Sequence, residues 1–81
     1  MRVAVQYFSQ LKEIAGCSEE SVELPEGATI DRLLARIYEL HPGMEKWDRH
    51  LLLGAGGEFV ERDYVIQPND EVAIMPPVQG G

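Results

Sequence analysis

The final stretch of the chain, Met75-Pro76-Pro77-Val78-Gln79-Gly80-Gly81, holds the residues best suited to chemistry. Gly80 and Gly81 carry no side chains, so they can pass through a narrow channel in a partner and take backbone conformations closed to other residues. Pro76 and Pro77 end a preceding strand and favour a stiff, extended path. At ~3.3 Å per residue, residues 76–81 span roughly 20 Å. That is enough to set the Gly81 carboxylate inside another protein's active site. A carboxylate is inert until activated. Adenylation by ATP makes it a mixed anhydride with a good leaving group. Attack by an amine then gives an amide, and attack by a sulfur donor gives a thiocarboxylate, a soft nucleophile that can deliver sulfur. Holding that nucleophile against a bound substrate makes the transfer effectively unimolecular, which can supply up to ~7–11 kcal/mol.

The rest of the chain offers less. His41 and His50 are the only histidines, and neither has a partner at metal-ligand spacing, so no metal site is expected. Cys17 stands beside Glu19 and Glu20. Acidic neighbours raise a thiol pKa, so Cys17 reads as inert. Gly54-Ala55-Gly56-Gly57 lacks the Lys-Ser/Thr of a phosphate loop and reads as a hairpin turn. The carboxylates are numerous, but no pattern pairs two of them, and they read as a solvated face.

Seven basic residues against fourteen acidic ones give a net charge of −7. That argues against nucleic acid, whose phosphates need Lys and Arg, and against an anionic membrane surface. It suits a basic protein partner, because opposite fields speed encounter, and it also keeps a small protein soluble. A single cysteine forbids an intrachain disulfide and fits a reducing cytoplasm. No segment approaches the ~20 apolar residues of a membrane span, and residues 1–5 are strand-like rather than a signal peptide. A cytoplasmic, soluble protein is expected. Its 81 residues allow one small domain, too small to enclose a deep active site of its own.

The elements that must position the tail follow from periodicity. Residues 2–8 read as a strand, with Val3, Val5 and Tyr7 on one face and Ala4, Gln6 and Phe8 on the other. Ser9 is placed as the cap of a short helix reaching Ala15, ended by Gly16. Residues 18–24 read as a second strand, with Glu20 outward and Val22 and Leu24 inward. Thr29 caps the main helix, whose apolar stripe is Ile30, Leu33, Leu34, Ile37 and Leu40, until His41-Pro42-Gly43 stops it. Residues 44–50 read as irregular, anchored by Trp47. Leu51-Leu52-Leu53 and Glu58-Phe59-Val60 read as short strands around the 54–57 turn, and residues 71–75 as the last strand, with Val72 and Ile74 opposite Ala73 and Met75. Strands followed by one helix and more strands predict an α+β sandwich of two layers, a mixed sheet packed on one main helix. If the first and last strands are neighbours they run parallel, as in the β-grasp arrangement. The domain is set at 1–75 and the extended tail at 76–81.

Two segments resemble a known family. Tyr7-Phe8-Ser9-Gln10-Leu11-Lys12-Glu13-Ile14-Ala15-Gly16 is similar to the aromatic-x-x-Leu/Val-Arg/Lys-Glu-x-x-Gly segment of molybdopterin synthase small subunits. Asn69-Asp70-Glu71-Val72-Ala73-Ile74-Met75-Pro76-Pro77-Val78-Gln79-Gly80-Gly81 resembles their Gly-Asp-Glu-Val-x-x-x-Pro-Pro-Val-x-Gly-Gly ending. The resemblance covers the whole chain. It departs at Asn69, where Gly is usual, and at Gly54–Gly57, where Val-Asn usually precedes the turn.

The resemblance implies a ubiquitin-like β-grasp fold and a chain that is not catalytic alone but is the sulfur-donating subunit of a heteromeric sulfurtransferase. It implies activation of Gly81 by an E1-like adenylyltransferase that consumes ATP, then thiocarboxylation by a sulfur donor protein. The tail then enters the large subunit, in a heterotetramer, and gives sulfur to cyclic pyranopterin monophosphate. No cofactor is bound by the chain itself. By position, Gly81 bears the sulfur, Gly80 is its narrow neighbour, and Pro76, Pro77, Val78 and Gln79 line the partner's channel. Phe8, Phe59 and Met75 are candidates for an apolar docking patch, with ordinary core packing as the competing reading, and Lys12 and Arg62 for charge contacts at its rim. The alternatives are a sulfur carrier for thiamine or cysteine synthesis, a ubiquitin-like modifier ending as an amide on lysine, and a plain interaction domain with an incidental tail.

Overall fold

The computed structural model of the chain describes residues 1–77. The expected tail therefore lies mostly outside the described residues, from Val78 onward. Five strands form one mixed sheet: β1 (Arg2–Tyr7), β2 (Glu19–Glu23), β3 (Leu52–Ala55), β4 (Glu58–Phe59) and β5 (Glu71–Met75). Their order is β2-β1-β5-β3-β4. β1 pairs antiparallel with β2 and parallel with β5, and β3 pairs antiparallel with both β4 and β5. The parallel pairing of first and last strands is the β-grasp arrangement.

Alternation along the strands decides which face is buried. Val3, Val5 and Tyr7 of β1, Val22 of β2, Leu53 and Ala55 of β3, and Val72 and Ile74 of β5 turn inward. They meet the main helix α2 (Ile30–Leu40), which buries Ile30, Leu33, Leu34 and Ile37. Each such side chain contributes roughly 1.5–3 kcal/mol by leaving water. The Thr29 hydroxyl accepts from the Arg32 backbone N–H at 3.4 Å, capping the helix as its sequence predicts. Leu40 departs from the expected stripe. It is 42% exposed, at the last residue of the helix.

Glu20 also departs from expectation. Residues two apart in a strand share a face, so Glu20 points inward with Val22. It is tolerated there because the Tyr7 hydroxyl donates to its carboxylate and the His41 ring nitrogen Nε2 lies 2.7 Å from it. Tyr7 and His41 meet edge to face at 6.0 Å. Burial, and then the bond to Glu20, push the Tyr7 hydroxyl pKa upward, so it stays a donor.

Residues 42–50 are not irregular but form a 3-10 helical segment, Pro42–His50. Met44, fully buried, is its principal anchor, and Trp47 only packs against the edge of the core. A proline at the start supplies the fixed φ that opens such a segment. The third strand runs one residue later than expected and continues through Gly54 and Ala55. The turn is therefore Gly56-Gly57 alone, both with positive φ (61° and 84°), the two-residue hairpin geometry that glycine permits. Val60 falls outside β4, though its N–H still donates to Leu53. The long connection before β5 returns to the start of α2, where Tyr64 and Arg62 carbonyls accept from the Ile30 and Asp31 N–H groups. That satisfies helix donors which have no partner within the helix. Among the described residues, no helix is long and apolar enough to cross a membrane.

The junction between β1 and α1 (Gln10–Ala15) is strained. Ser9 has φ 52° and ψ −130°, and its side chain makes no capping bond. Leu11 N–H donates to the Phe8 carbonyl at 3.1 Å, which closes a type II′ turn with Ser9 where glycine is preferred. Ser9→Gly is expected to stabilise the domain by about 1 kcal/mol, read as a higher urea midpoint with unchanged slope. An unchanged or lower midpoint would show that the serine is unstrained.

Candidate functional site

The outward face of the sheet is where candidate residues gather. Directly paired residues share a face, so pairing places Gln6, Ala73, Gly54 and Phe59 in one row across β1, β5, β3 and β4. Met75 and Leu52 form the next row. Small side chains in the first row leave a groove lined by Gln6, Gly54, Phe59, Ala73 and Met75, with Glu58 and Glu71 at its margin. Phe59 is 75% exposed and Phe8 41% exposed, so neither belongs to the core. Met75 is half-buried on this same face.

Phe8 stands at the end of β1, held there by its N–H donating to the Ile74 carbonyl at 3.3 Å. With Lys12 of α1, Gln6 and Glu19 it lines a smaller depression beside the groove. Gln6 borders both. The structure thus brings Met75 and Phe59 into one groove and Phe8 and Lys12 into its neighbour. Pro76 and Pro77, both half-buried, follow Met75 directly. Val78, Gln79, Gly80 and Gly81 lie outside the described residues.

Arg62 is placed elsewhere. Its guanidinium lies 3.0 Å from the Asp48 carboxylate and 3.6 Å from that of Asp31, at the start of α2. A further bond reaches the Asp48 carbonyl. Tyr38 donates its hydroxyl to the same Asp48 carboxylate. Arg62 therefore ties the 60–66 connection to the helical layer rather than joining the rim of the groove. The Tyr38 hydroxyl, and then Arg62, hold the Asp48 carboxyl below its ordinary 3.8 against the opposing effect of burial. A depressed folded-state pKa contributes stability above the ordinary value, which is lost as pH falls through the folded value. Asp48→Asn is expected to melt lower than wild type at pH 7 and to lose less stability below about pH 4. Parallel melting-against-pH curves for the two proteins would contradict this.

The remaining titratable groups are structural. Burial, and then Glu20, push the Cys17 thiol up, while a backbone hydrogen bond involving Glu19 lowers it. The net direction keeps the thiol protonated. His41 is engaged with Glu20. Among the described residues no group of three or more His, Cys, Asp and Glu side chains stands close enough to hold a metal.

Gly54, Ala73, Gln6 and Glu71 were not among the residues expected at this site. Their signal lies in the strand register, which two residues of error at the 54–57 turn conceal.

Comparison with known proteins agrees with this geometry. Residues 5–81 match the ThiS family. The molybdopterin synthase sulfur carrier subunit of Chlamydomonas reinhardtii is 35% identical over 83 aligned positions, covering 100% of both chains. Among solved structures, a putative molybdopterin converting factor subunit 1 from Pyrococcus furiosus superposes with a TM-score of 0.87 at 30% identity, over 96% of this chain and 99% of that one. SAMP1 from Haloferax volcanii superposes with a TM-score of 0.85 at 25% identity, over 100% of both chains. The mixed five-stranded sheet on one main helix is a ubiquitin-like β-grasp fold, and the chain belongs to the ThiS family.

Proposed function

We propose that this chain is the sulfur carrier subunit of molybdopterin synthase, with the Gly81 carboxylate as the group that carries sulfur. An E1-like adenylyltransferase activates it: a carboxylate oxygen attacks ATP, and pyrophosphate leaves. Sulfide-level sulfur delivered by a donor protein then attacks the acyl carbon, AMP leaves, and the thiocarboxylate forms. The large subunit receives residues 76–81 and the thiocarboxylate gives its sulfur to cyclic pyranopterin monophosphate. Two large and two small subunits make up the working enzyme.

One observation carries this reading. The outward sheet face is an open groove with Phe59, Ala73 and Met75 exposed to it among polar neighbours, and in sequence Met75 leads into Pro76-Pro77 and the terminal Gly-Gly. A docking face contiguous with an extended arm is what a carrier needs in order to present its terminus inside a partner. Among the described residues, Tyr7, Glu20 and His41 satisfy one another rather than leaving a free reactive group.

Reconstitution tests the reading. The thiocarboxylated chain mixed with the large subunit and cyclic pyranopterin monophosphate should yield the dithiolene product, with two thiocarboxylates consumed for each dithiolene formed. Absence of product, with the thiocarboxylate intact and a related carrier active in the same mixture, would reject the molybdenum pathway.

The fold shared with SAMP1 supports a second reading, a modifier whose activated Gly81 is captured by lysine amines. It predicts Gly81-dependent conjugates of higher mass in cell extract. The carrier reading predicts none.

A further inference from the structure

The sheet ends on one side at β2, the margin opposite β4 and its Phe59. Antiparallel partners alternate between pairs that exchange hydrogen bonds and pairs that do not. The Tyr7 N–H donates to the Ser18 carbonyl and the Leu24 N–H to the Met1 carbonyl, both at 2.8 Å. With Val3 opposite Val22 and Val5 opposite Glu20, residues 18, 20, 22 and 24 therefore bond toward β1. The Ser21 N–H and carbonyl, the Glu19 carbonyl and the Glu23 N–H point the other way, and none has a hydrogen-bond partner among the described residues. Such a row is a template for one more strand. Glu19, Ser21 and Glu23 are all exposed. Glu19 makes no ion pair among the described residues, and the Glu23 side chain, 70% exposed, pairs loosely with Arg2 at 3.9 Å and the N-terminal ammonium at 3.5 Å. Beside this edge, a groove between β2 and α2 is lined by Leu24, Pro25 and Ala35, with Arg32 and Arg36 on its helical wall. Arg32 forms no ion pair among the described residues, and Arg36 has Glu39 at 3.3 Å.

We propose that the β2 edge is a docking site for an extended, alternately basic and apolar segment of a partner protein, which adds to the sheet as an antiparallel strand. Main-chain bonds to Glu19, Ser21 and Glu23 supply affinity, and alternate side chains supply selectivity. Two Lys or Arg side chains, four residues apart, face Glu19 and Glu23. The side chains one residue inside each of them point to the other face and are apolar, to lie along Val22 and the Leu24-Pro25 floor of the groove. A carboxylate opposite Leu24 meets Arg32 and Arg36. A second copy of this chain does not fit the same edge. Antiparallel pairing of two β2 strands about Ser21 would set Glu19 against Glu23 twice, like charges directly opposite. The net charge of −7 steers a cationic segment toward the chain. The site uses neither Phe59 nor Met75, so it does not depend on what the Gly81 arm carries.

Titration of the full chain with the blocked peptide acetyl-Asp-Lys-Val-Thr-Val-Lys-amide, followed by amide NMR, tests this. Saturable binding is expected, weakened by added salt, with the largest shifts at Ser21 and Glu23 and slowed exchange of the Ser21 N–H. Ser21→Pro removes that N–H, which bonds nothing within the chain, so an edge strand tolerates the change. It is expected to weaken the peptide about tenfold, through the lost bond and the ring that replaces it. Glu19→Lys should weaken this peptide several-fold and strengthen one with Glu in place of the last Lys. That exchange of preference is not produced by a loss of stability, and it keeps the test valid should the proline variant fold poorly. No saturable binding by the wild-type chain would overturn the inference, as would shifts confined to the groove of Phe59 and Met75. Wild-type affinity in a folded Ser21→Pro variant would overturn it as well. A wild-type dimer that Ser21→Pro dissolves would make a second copy the occupant and overturn the choice of partner.

Discussion

A chain lacking Gly81 is expected to lose sulfur transfer by at least about a hundredfold while its melting transition stays where it was. The carboxylate of the shortened chain ends at Gly80, roughly 3.3 Å short of its target. Misplacement of a reacting atom by even ~1 Å costs about two orders of magnitude, so a full residue removes the productive geometry. Adding one residue after Gly81 has the same effect from the other side. Stability is expected to hold because the core closes within the described residues, from Val3 to Ile74. Product formation and a thermal melt check the two halves separately. A melting transition that collapses on deletion would make the terminus part of the fold. Product formed at the wild-type rate would remove Gly81 from the chemistry.

Met75→Lys is expected to weaken binding of the large subunit by roughly a hundredfold, the second-largest effect. Met75 stands beside Gly54 on the outward face, opposite in orientation to the buried Val72 and Ile74. A lysine there leaves an ammonium unpaired under a docked apolar surface, which costs about 2–4 kcal/mol. In the free chain the same ammonium reaches water across the open groove, so the loss of domain stability should stay within about 1 kcal/mol. Titration calorimetry and urea unfolding on the same preparation separate the two quantities. Affinity equal to wild type would exclude Met75 from the docking face, and a stability loss matching the binding loss would make its role structural.

Much of this was legible in the residues because periodicity reports burial. Val3, Val5 and Tyr7, the stripe Ile30, Leu33, Leu34 and Ile37, and Val72 opposite Met75 all lie where alternation or helical spacing puts them. What was not legible depends on partners distant in sequence. Glu20 reads as outward by its charge although its two-residue spacing from Val22 already turns it inward; what the sequence hides is its partners, Tyr7 and His41. Met44 carries no local mark distinguishing it from Trp47 as the anchor of the 3-10 segment. Arg62 reads as a free surface charge until the connection after β4 folds back onto Asp31 and Asp48. Gly54 hides in a glycine-rich run whose turn needs only Gly56 and Gly57. The exposure of Phe8 and Phe59 likewise follows from register and strand ends, not from their apolar character.

The central claim is that Gly81 carries sulfur, and the intact mass of the protein tests it most directly. The chain is incubated with ATP, the E1-like activating enzyme and a sulfur donor, then weighed and fragmented. The account predicts a gain corresponding to one oxygen replaced by sulfur, localised to Gly81 and dependent on ATP. An unchanged mass, in a mixture that thiocarboxylates a related carrier, would contradict it.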